Sequence, residues 1–168
     1  MIKLVFCDMD GTLLDGQGNL PEGLGTILAE LKAHGVIFAP ASGRQYAALL
    51  RHFRPWADDL IFCAENGAYV VRRGEELFST TIAPELCREI VRLAAAVKGA
   101  YTVWCGKEYA YVTERNEDFF AEMEKYYTEY KMVEAFSDVR RSSFLYAIPW
   151  RRMLSARSIL RCRICPRS

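Results

Sequence analysis

The first fourteen residues contain the pattern that most limits the fold: an apolar run from Ile2 to Cys7, followed at once by Asp8 and Asp10. A short apolar run closed by polar residues and glycine predicts a buried strand that ends at a loop. Because side chains alternate along an extended chain, Asp8 and Asp10 are predicted to point to the same side, with α-carbons about 6–7 Å apart. Such a like-charged pair is costly unless one carboxylate is protonated or a hard cation such as Mg²⁺ lies between them. Both solutions suit catalysis, whereas the alternative, a plain Asp-Gly turn, needs only one Asp.

The residues around the second aspartate are suited to an anionic ligand. Gly11 allows the backbone to bend sharply and to approach a ligand closely. Thr12 supplies a hydroxyl, and the backbone N–H groups from Met9 to Thr12 can hold an anion. The segment after Leu14 is rich in turn-forming residues and predicts a mobile flap beside the two aspartates.

The next segments predict an α/β fold with parallel strands. Apolar residues at helical spacing predict a helix that opens at Pro21, and Gly35 is placed to cap its end. The apolar residues predicted to face inward are Leu24, Ile27, Leu28 and Leu31. Residues 36–39 form the next predicted strand, so the strand-helix-strand order implies a right-handed crossover and parallel pairing.

The second strand runs into Ser42, Gly43 and Arg44, after which residues 45–53 predict a helix. The N-terminus of a helix favours phosphate, and the Ser42 hydroxyl and Arg44 guanidinium add suitable donors. The alternative is that Ser42 caps the helix and that Arg44 is solvated. Given the two aspartates upstream, the phosphate site is preferred.

A third predicted strand, residues 60–64, ends at Asn66 and Gly67, and residues 69–71 and 77–78 predict a hairpin with its turn at Arg73 and Gly74. Ligands of open parallel sheets bind at the carboxyl ends of the strands, so Asn66 is expected at the same edge as Asp8. A plain turn at Asn66 and Gly67 is an equally good interpretation.

Asp8-Met9-Asp10-Gly11-Thr12 resembles the first motif of the haloacid dehalogenase-like (HAD) phosphatases. The segments Ala41-Ser42-Gly43-Arg44 and Glu65-Asn66-Gly67-Ala68 are similar to the Cof-type branch, whose members dephosphorylate small metabolites. The resemblance covers residues 1–148. It implies a three-layer, Rossmann-like parallel sheet, the N-terminal part of a HAD core over residues 1–81, followed by a partial α+β cap domain over residues 82–148.

The cap pattern consists of a helix over 84–98, a hairpin of 101–105 with 109–113 around Gly106, a helix over 116–130 and a strand at 144–148. In the family, a Lys and an acidic Gly-Asp motif follow the cap, and residues 149–168 contain no Lys, acid or Gly. A shifted reading frame or a truncated gene is the preferred explanation, which the encoding DNA tests. Cys162 and Cys165 as half a zinc site, or an Arg-rich nucleic-acid arm, are the rival interpretations.

Charge and composition agree with a cytoplasmic enzyme. The net charge is +1, but all eight arginines after Asp138 lie in a stretch without acids, so residues 1–138 carry 14 basic and 21 acidic side chains. The start is too weakly apolar for a signal peptide, and no run approaches the roughly 20 residues needed to cross a bilayer. The six cysteines are expected as free thiols.

The resemblance implies Mg²⁺-dependent hydrolysis of a small phosphorylated metabolite such as a sugar phosphate, with neither nucleic acid nor membrane as partner. Asp8 is the implied nucleophile and Asp10 the acid and base, both acting as metal ligands; Met9, Gly11, Thr12, Ser42, Gly43, Arg44 and Asn66 hold phosphate or substrate. Without the Lys and the acidic motif, activity is expected to be at least about a hundredfold lower than in an intact relative. A non-catalytic, phosphometabolite-binding remnant is the alternative function.

The first strand is also expected to be an edge strand, since the resemblance places a missing strand beside it. An unpaired strand edge is a template for association. The expected cover is a second molecule or the tail, whose apolar residues are Met153, Leu154, Ile159, Leu160 and Ile164.

Overall fold

The structure, a computed structural model, describes residues 1–97, 99–113 and 115–139 and the backbone of 146–149. Its first sheet has five strands in the order β1 to β5: Leu4–Asp8, Ile37–Ala41, Phe62–Ala64, Tyr69–Arg72 and Glu75–Ser79. Strands β1, β2 and β3 are parallel, and β4 and β5 continue the sheet as an antiparallel hairpin. The predicted α/β class with a parallel sheet is therefore confirmed.

The predicted hairpin turn is also confirmed. Arg73 and Gly74 connect β4 to β5, and both have positive φ angles, of 52° and 77°. Two consecutive positive φ angles match the right-handed twist of the two strands that they connect.

The helices α1, Leu24–Ala33, and α2, Tyr46–Phe53, pack on the same face of this sheet. Their shared core is apolar throughout: Met9, Leu14, Leu24, Leu28, Phe38, Leu49, Phe53, Leu60, Phe62 and Ala64. The predicted start of α1 at Pro21 is wrong, because Gly23 has a left-handed φ of 79° and the helix begins only after it. Gly35 ends α1 as predicted, with its N–H donating to the Lys32 carbonyl at 2.9 Å. Ile27, predicted to face inward, is 53% exposed.

The opposite face of the sheet is open in the described part of the chain. Alternation along β1 partly buries Val5 and Cys7 against the helices and leaves Leu4 and Phe6, 37% and 60% exposed, on the other side. The third layer of the predicted three-layer arrangement is therefore not formed by the described residues.

The elements of the second sheet follow the first sheet in the chain: α3 (Pro84–Ala95), β6 (Ala100–Cys105), β7 (Ala110–Val112), α4 (Glu117–Met123), β8 (Tyr130–Met132) and β9 (Tyr146–Pro149). Its four strands lie in the order β8-β7-β6-β9. The predicted hairpin around Gly106 is confirmed, and β9 pairs with β6. The division into a core of residues 1–81 and a cap of residues 82–148 stays a prediction, and the predicted tail beyond Pro149 lies outside the described residues.

The predicted helix over 116–130 is wrong in its second half. Asn116 caps α4 by accepting the Phe119 N–H, but the helix ends at Met123 and Tyr130 begins a strand parallel to β7. The backbone N–H and C=O of Glu129 bond instead to the Gln45 side chain, at 3.1 Å and 3.0 Å. These tertiary hydrogen bonds, together with pairing to β7, outweigh the local helical pattern.

Strand β1 lies at the edge of its sheet, as predicted: among the described residues only β2 pairs with it. In the same part of the chain, no helix combines the length and apolarity that crossing a bilayer requires.

We expect this edge and its exposed face to drive self-association, because unpaired backbone groups and apolar side chains lie together there. Phe6→Lys should weaken association about tenfold, since a lysine on an edge strand opposes pairing with a second copy. Light scattering over a concentration series measures the effect. Ile27→Lys, at a similarly exposed position on α1, is the control and should change nothing. A stable monomer for the unmodified chain at all concentrations would contradict this prediction.

Candidate active site

Asp8 is the last residue of β1 and is exposed at the carboxyl end of the strand. The Thr12 hydroxyl donates to Asp8 Oδ2 at 3.2 Å. The chain turns sharply between them, with Gly11 at a φ of 78° and the Leu14 N–H donating to the Met9 carbonyl at 2.8 Å. The Met9 side chain is fully buried in the core. Met9 thus anchors the loop, and in this conformation the whole residue is buried away from a ligand.

Asp10 has a different partner from Asp8. The Arg44 guanidinium holds both of its carboxylate oxygens, with Nε to Oδ2 at 3.1 Å and Nη2 to Oδ1 at 2.6 Å. The prediction that Asp8 and Asp10 lie on one extended strand is wrong, because β1 ends at Asp8 and Asp10 belongs to the loop that follows. The Arg44 side chain is only 11% exposed, so the alternative of a solvated arginine is wrong. In this conformation Arg44 binds a carboxylate of the chain and not a phosphate.

Ser42, Gly43 and Asn66 lie together where β2 and β3 end. The Ser42 N–H donates to the Cys63 carbonyl at 3.0 Å, and the Asn66 N–H donates to the Ser42 carbonyl at 2.9 Å. A Cβ on Gly43 would lie 3.1 Å from the Asn66 Nδ2, so only glycine lets the Asn66 side chain lie this close to the backbone. The Ser42 hydroxyl accepts the Arg44 N–H at 3.2 Å, while α2 itself has no side-chain cap.

One groove of about 620 Å³ brings several predicted site residues together. Asp8, Ser42 and Asn66 line its polar end, beside Gly67. The rest of its wall is the open apolar face of the sheet, including Leu4 and Phe6. A plain turn was the other interpretation of Asn66 and Gly67. It explains only part of what the structure shows, because Asn66 also lies at the edge of the sheet that carries Asp8.

The contact between the two sheets was not predicted from the sequence. Arg44 Nη1 also donates to the Lys125 carbonyl, and its guanidinium carbon lies 5.2 Å from the centre of the Tyr126 ring. Next to it, Gln45 is 1% exposed and bonds to the backbone of Glu129. The sequence indicated this contact only by two polar residues, Arg44 and Gln45, directly before the first apolar residue of α2.

Glu65 is a second feature that the sequence did not reveal. It is 2% exposed, and neither carboxyl oxygen has a hydrogen-bond partner among the described residues. Burial raises the pKa of Glu65 to about 8. Its N–H donates to the Arg44 carbonyl at 3.1 Å, which ties this neutral acid to the loop that holds Asp10.

The donor set around Asp8 and Asp10 decides how well these residues fit Mg²⁺. Mg²⁺ is usually held by one or two carboxylates together with substrate phosphate and water, a set to which exposed Asp8 can contribute. Each oxygen of Asp10 accepts one hydrogen bond from Arg44, so Asp10 has one remaining lone pair per oxygen to offer to a cation. The described residues contain no cluster of three or more His, Cys, Asp or Glu suited to a metal. The site therefore fits a loosely held cation that is completed by substrate.

Comparison with known proteins agrees with this geometry. Residues 5–148 match the haloacid dehalogenase-like hydrolases. A 5-amino-6-(5-phospho-D-ribitylamino)uracil phosphatase of Escherichia coli is 30% identical over 149 residues, which are 88% of this chain and 55% of that protein. The chain belongs to the haloacid dehalogenase-like hydrolase family, as its motifs predicted.

Solved structures show the same fold. SMU.1108c from Streptococcus mutans aligns with a TM-score of 0.76 at 23% identity, over 85% of this chain and 55% of that one. A sugar phosphatase of HAD subclass IIB aligns with a TM-score of 0.69 at 20% identity, over 84% and 56% of the two chains. The chain thus spans about half the length of the relatives that it matches.

Proposed function

We propose that this chain carries the nucleophile and the phosphate-binding loops of a phosphatase that hydrolyses small phosphorylated metabolites. The main observation in support is the position of Asp8, which is exposed at the end of β1 and lines the same groove as Ser42 and Asn66. Membership of a hydrolase family, and a relative named as a phosphatase, support the same activity.

In the proposed reaction, a carboxylate oxygen of Asp8 attacks phosphorus in line and forms an aspartyl-phosphate as the bond to the leaving oxygen breaks. Asp10 gives a proton to that oxygen and later takes one from the water that hydrolyses the intermediate. Each oxygen of Asp10 accepts one hydrogen bond from Arg44 and keeps a second lone pair, so Asp10 can carry the proton there while Arg44 holds the carboxyl group in place. Arg44 is therefore a positioning residue for Asp10.

The hydroxyls of Ser42 and Thr12 are the proposed donors to the phosphoryl oxygens. The single hydrogen of the Thr12 hydroxyl is donated to Asp8 Oδ2 in this structure, so it would turn from the nucleophile to a phosphoryl oxygen when substrate binds. Gly11 keeps the backbone open to the ligand, and Gly43 allows Asn66 to lie against the Ser42 loop. Mg²⁺, held by Asp8 and the substrate phosphate with Asp10 able to join, would offset the negative charge between them.

The proposed substrate is a sugar phosphate or a similar metabolite, since one relative is named for a phosphorylated ribityl compound and one similar structure is a sugar phosphatase. We also propose a cytoplasmic location. Cys7 and Cys63 are free thiols, which agrees with a reducing compartment.

A regulatory protein that binds phosphometabolites without hydrolysing them is the second candidate. It is favoured by the described residues, which bring no third acid to Asp8 and Asp10. Preorganised charge stabilisation is typically worth about a hundredfold or more in rate, so we propose that this chain turns over at least that much more slowly than a relative with a complete site.

The two candidates differ in a simple assay. The chain is incubated with p-nitrophenyl phosphate and Mg²⁺, and released phosphate is followed over hours. The proposal predicts slow, Mg²⁺-dependent release above that of a matched sample containing EDTA. Binding of a sugar phosphate without any release would favour the regulatory protein. Release that is unaffected by EDTA would contradict the role of Mg²⁺.

A further inference from the structure

A second pocket, of about 440 Å³, lies next to Asp10 and is separate from the groove that contains Asp8. Its walls are formed by the flap after the first motif, by Arg44, by residues of α2 and by the turn that follows α4. Its polar lining includes Asn19, Arg44, Arg51, His52, Glu124 and Thr128.

Asp10, the group proposed to protonate the leaving oxygen, is connected to the pocket through Arg44 and is not itself a lining residue. Arg44 lines the pocket and at the same time holds both carboxylate oxygens of Asp10. A leaving group whose oxygen lies at Asp10 therefore has this pocket as the adjoining space.

Three positively charged side chains line the pocket, and two of them form an ion pair with an acidic side chain. Arg44 is paired with Asp10, and Lys125 is paired with Glu122. Arg51 lies on α2 and has no carboxylate within ion-pair distance among the described residues. It is therefore the charge in this wall that a ligand can pair with.

The other polar side chains of the pocket favour a ligand that accepts hydrogen bonds. Burial lowers the pKa of His52, and the charges of Arg44 and Arg51 lower it further, so the ring is a neutral hydrogen-bonding group at pH 7. Glu124 is the acid in the wall, and its carboxylate already accepts the Tyr130 hydroxyl at 2.8 Å. Thr128 adds a hydroxyl donor.

We infer that this pocket binds a second anionic group on the leaving portion of the substrate, with Arg51 as its specificity-determining residue. The substrate class is then a phosphate ester whose alcohol portion carries a carboxylate or a second phosphate. This inference rests on the proposed function, because Asp10 defines which side the leaving group occupies.

The test is calorimetric titration of the full chain, in Mg²⁺, with two pairs of probes. Glycerol 1-phosphate and 3-phosphoglycerate differ by a carboxylate, whereas fructose 6-phosphate and fructose 1,6-bisphosphate differ by a second phosphate. A charge-assisted hydrogen bond is worth roughly tenfold in affinity, so the member with the extra anion should bind about ten times more tightly in at least one pair. The pair that shows the difference identifies the anion.

Arg51→Gln should abolish that difference and leave the dissociation constants of glycerol 1-phosphate and fructose 6-phosphate unchanged. Arg54→Gln is the matched control, since it removes the same charge from an exposed position three residues further on and outside the pocket. It should preserve the difference. Equal affinities within both pairs, or equal effects of the two substitutions, would overturn the inference while the proposed function stands. If none of the four esters binds, both fail.

Discussion

Replacing Asp8 by Asn is expected to lower phosphate ester hydrolysis by at least about a thousandfold, because the amide cannot form the covalent intermediate. The substitution keeps the size of the side chain and its exposed place at the end of β1. The fold should therefore be unchanged. Initial rates of phosphate release at saturating Mg²⁺ measure the effect.

The control for this experiment is Asp58→Asn, which removes the same charge from a position outside the site. It should keep the rate within about twofold. If Asp8→Asn retains hydrolysis with a normal metal requirement, Asp8 is not the nucleophile and the assignment is lost.

The second large effect concerns stability and comes from Glu65. Its pKa is about 8 in the folded chain against 4.5 for a glutamate in water, so between these values the folded state holds a proton that the unfolded state has lost. Stability contributed by this group is therefore present below pH 4.5 and falls as the pH rises towards 8. From about pH 5 to about pH 7 the loss should be roughly 2–3 kcal/mol of unfolding free energy.

Urea denaturation at a series of pH values measures this slope. Glu65→Gln cannot titrate and should flatten it, whereas Glu75→Gln, at an exposed position on β5, should leave it as it is. A Glu65→Gln variant with the unmodified pH slope would show that Glu65 is charged in the folded protein. Because the Glu65 N–H is bonded to the Arg44 carbonyl, ionisation should also loosen the loop that holds Asp10.

Local patterns were sufficient for most of the first sheet. The apolar run before Asp8, the spacing of Leu24 and Leu28, and the Arg73-Gly74 turn each act over a few residues, so their structures follow from the sequence alone. The edge position of β1 was also predicted, because the resemblance to the family places a missing strand beside it. The roles of the site residues remain proposals.

The parts that were not predictable depend on contacts between distant residues. The second half of the predicted helix over 116–130 is lost because Gln45, 84 positions before Glu129, binds the Glu129 backbone. Arg44 has the residue type of a phosphate ligand, yet its partners are Asp10 and the carbonyl of Lys125. Periodicity gives no information about such pairings. The burial of Glu65 is hidden for the same reason, since charged residues are almost never fully buried without a partner.

We propose that phosphate passes through a covalent bond to Asp8, and this bond can be trapped chemically. The chain is incubated with Mg²⁺ and a radiolabelled aryl phosphate, quenched in acid, reduced with borohydride and digested for mass spectrometry. Borohydride reduces an aspartyl-phosphate to homoserine, so we predict homoserine at position 8, and none in Asp8→Asn. Release of phosphate without any modification at position 8, or label and reduction at another carboxylate, would contradict the account.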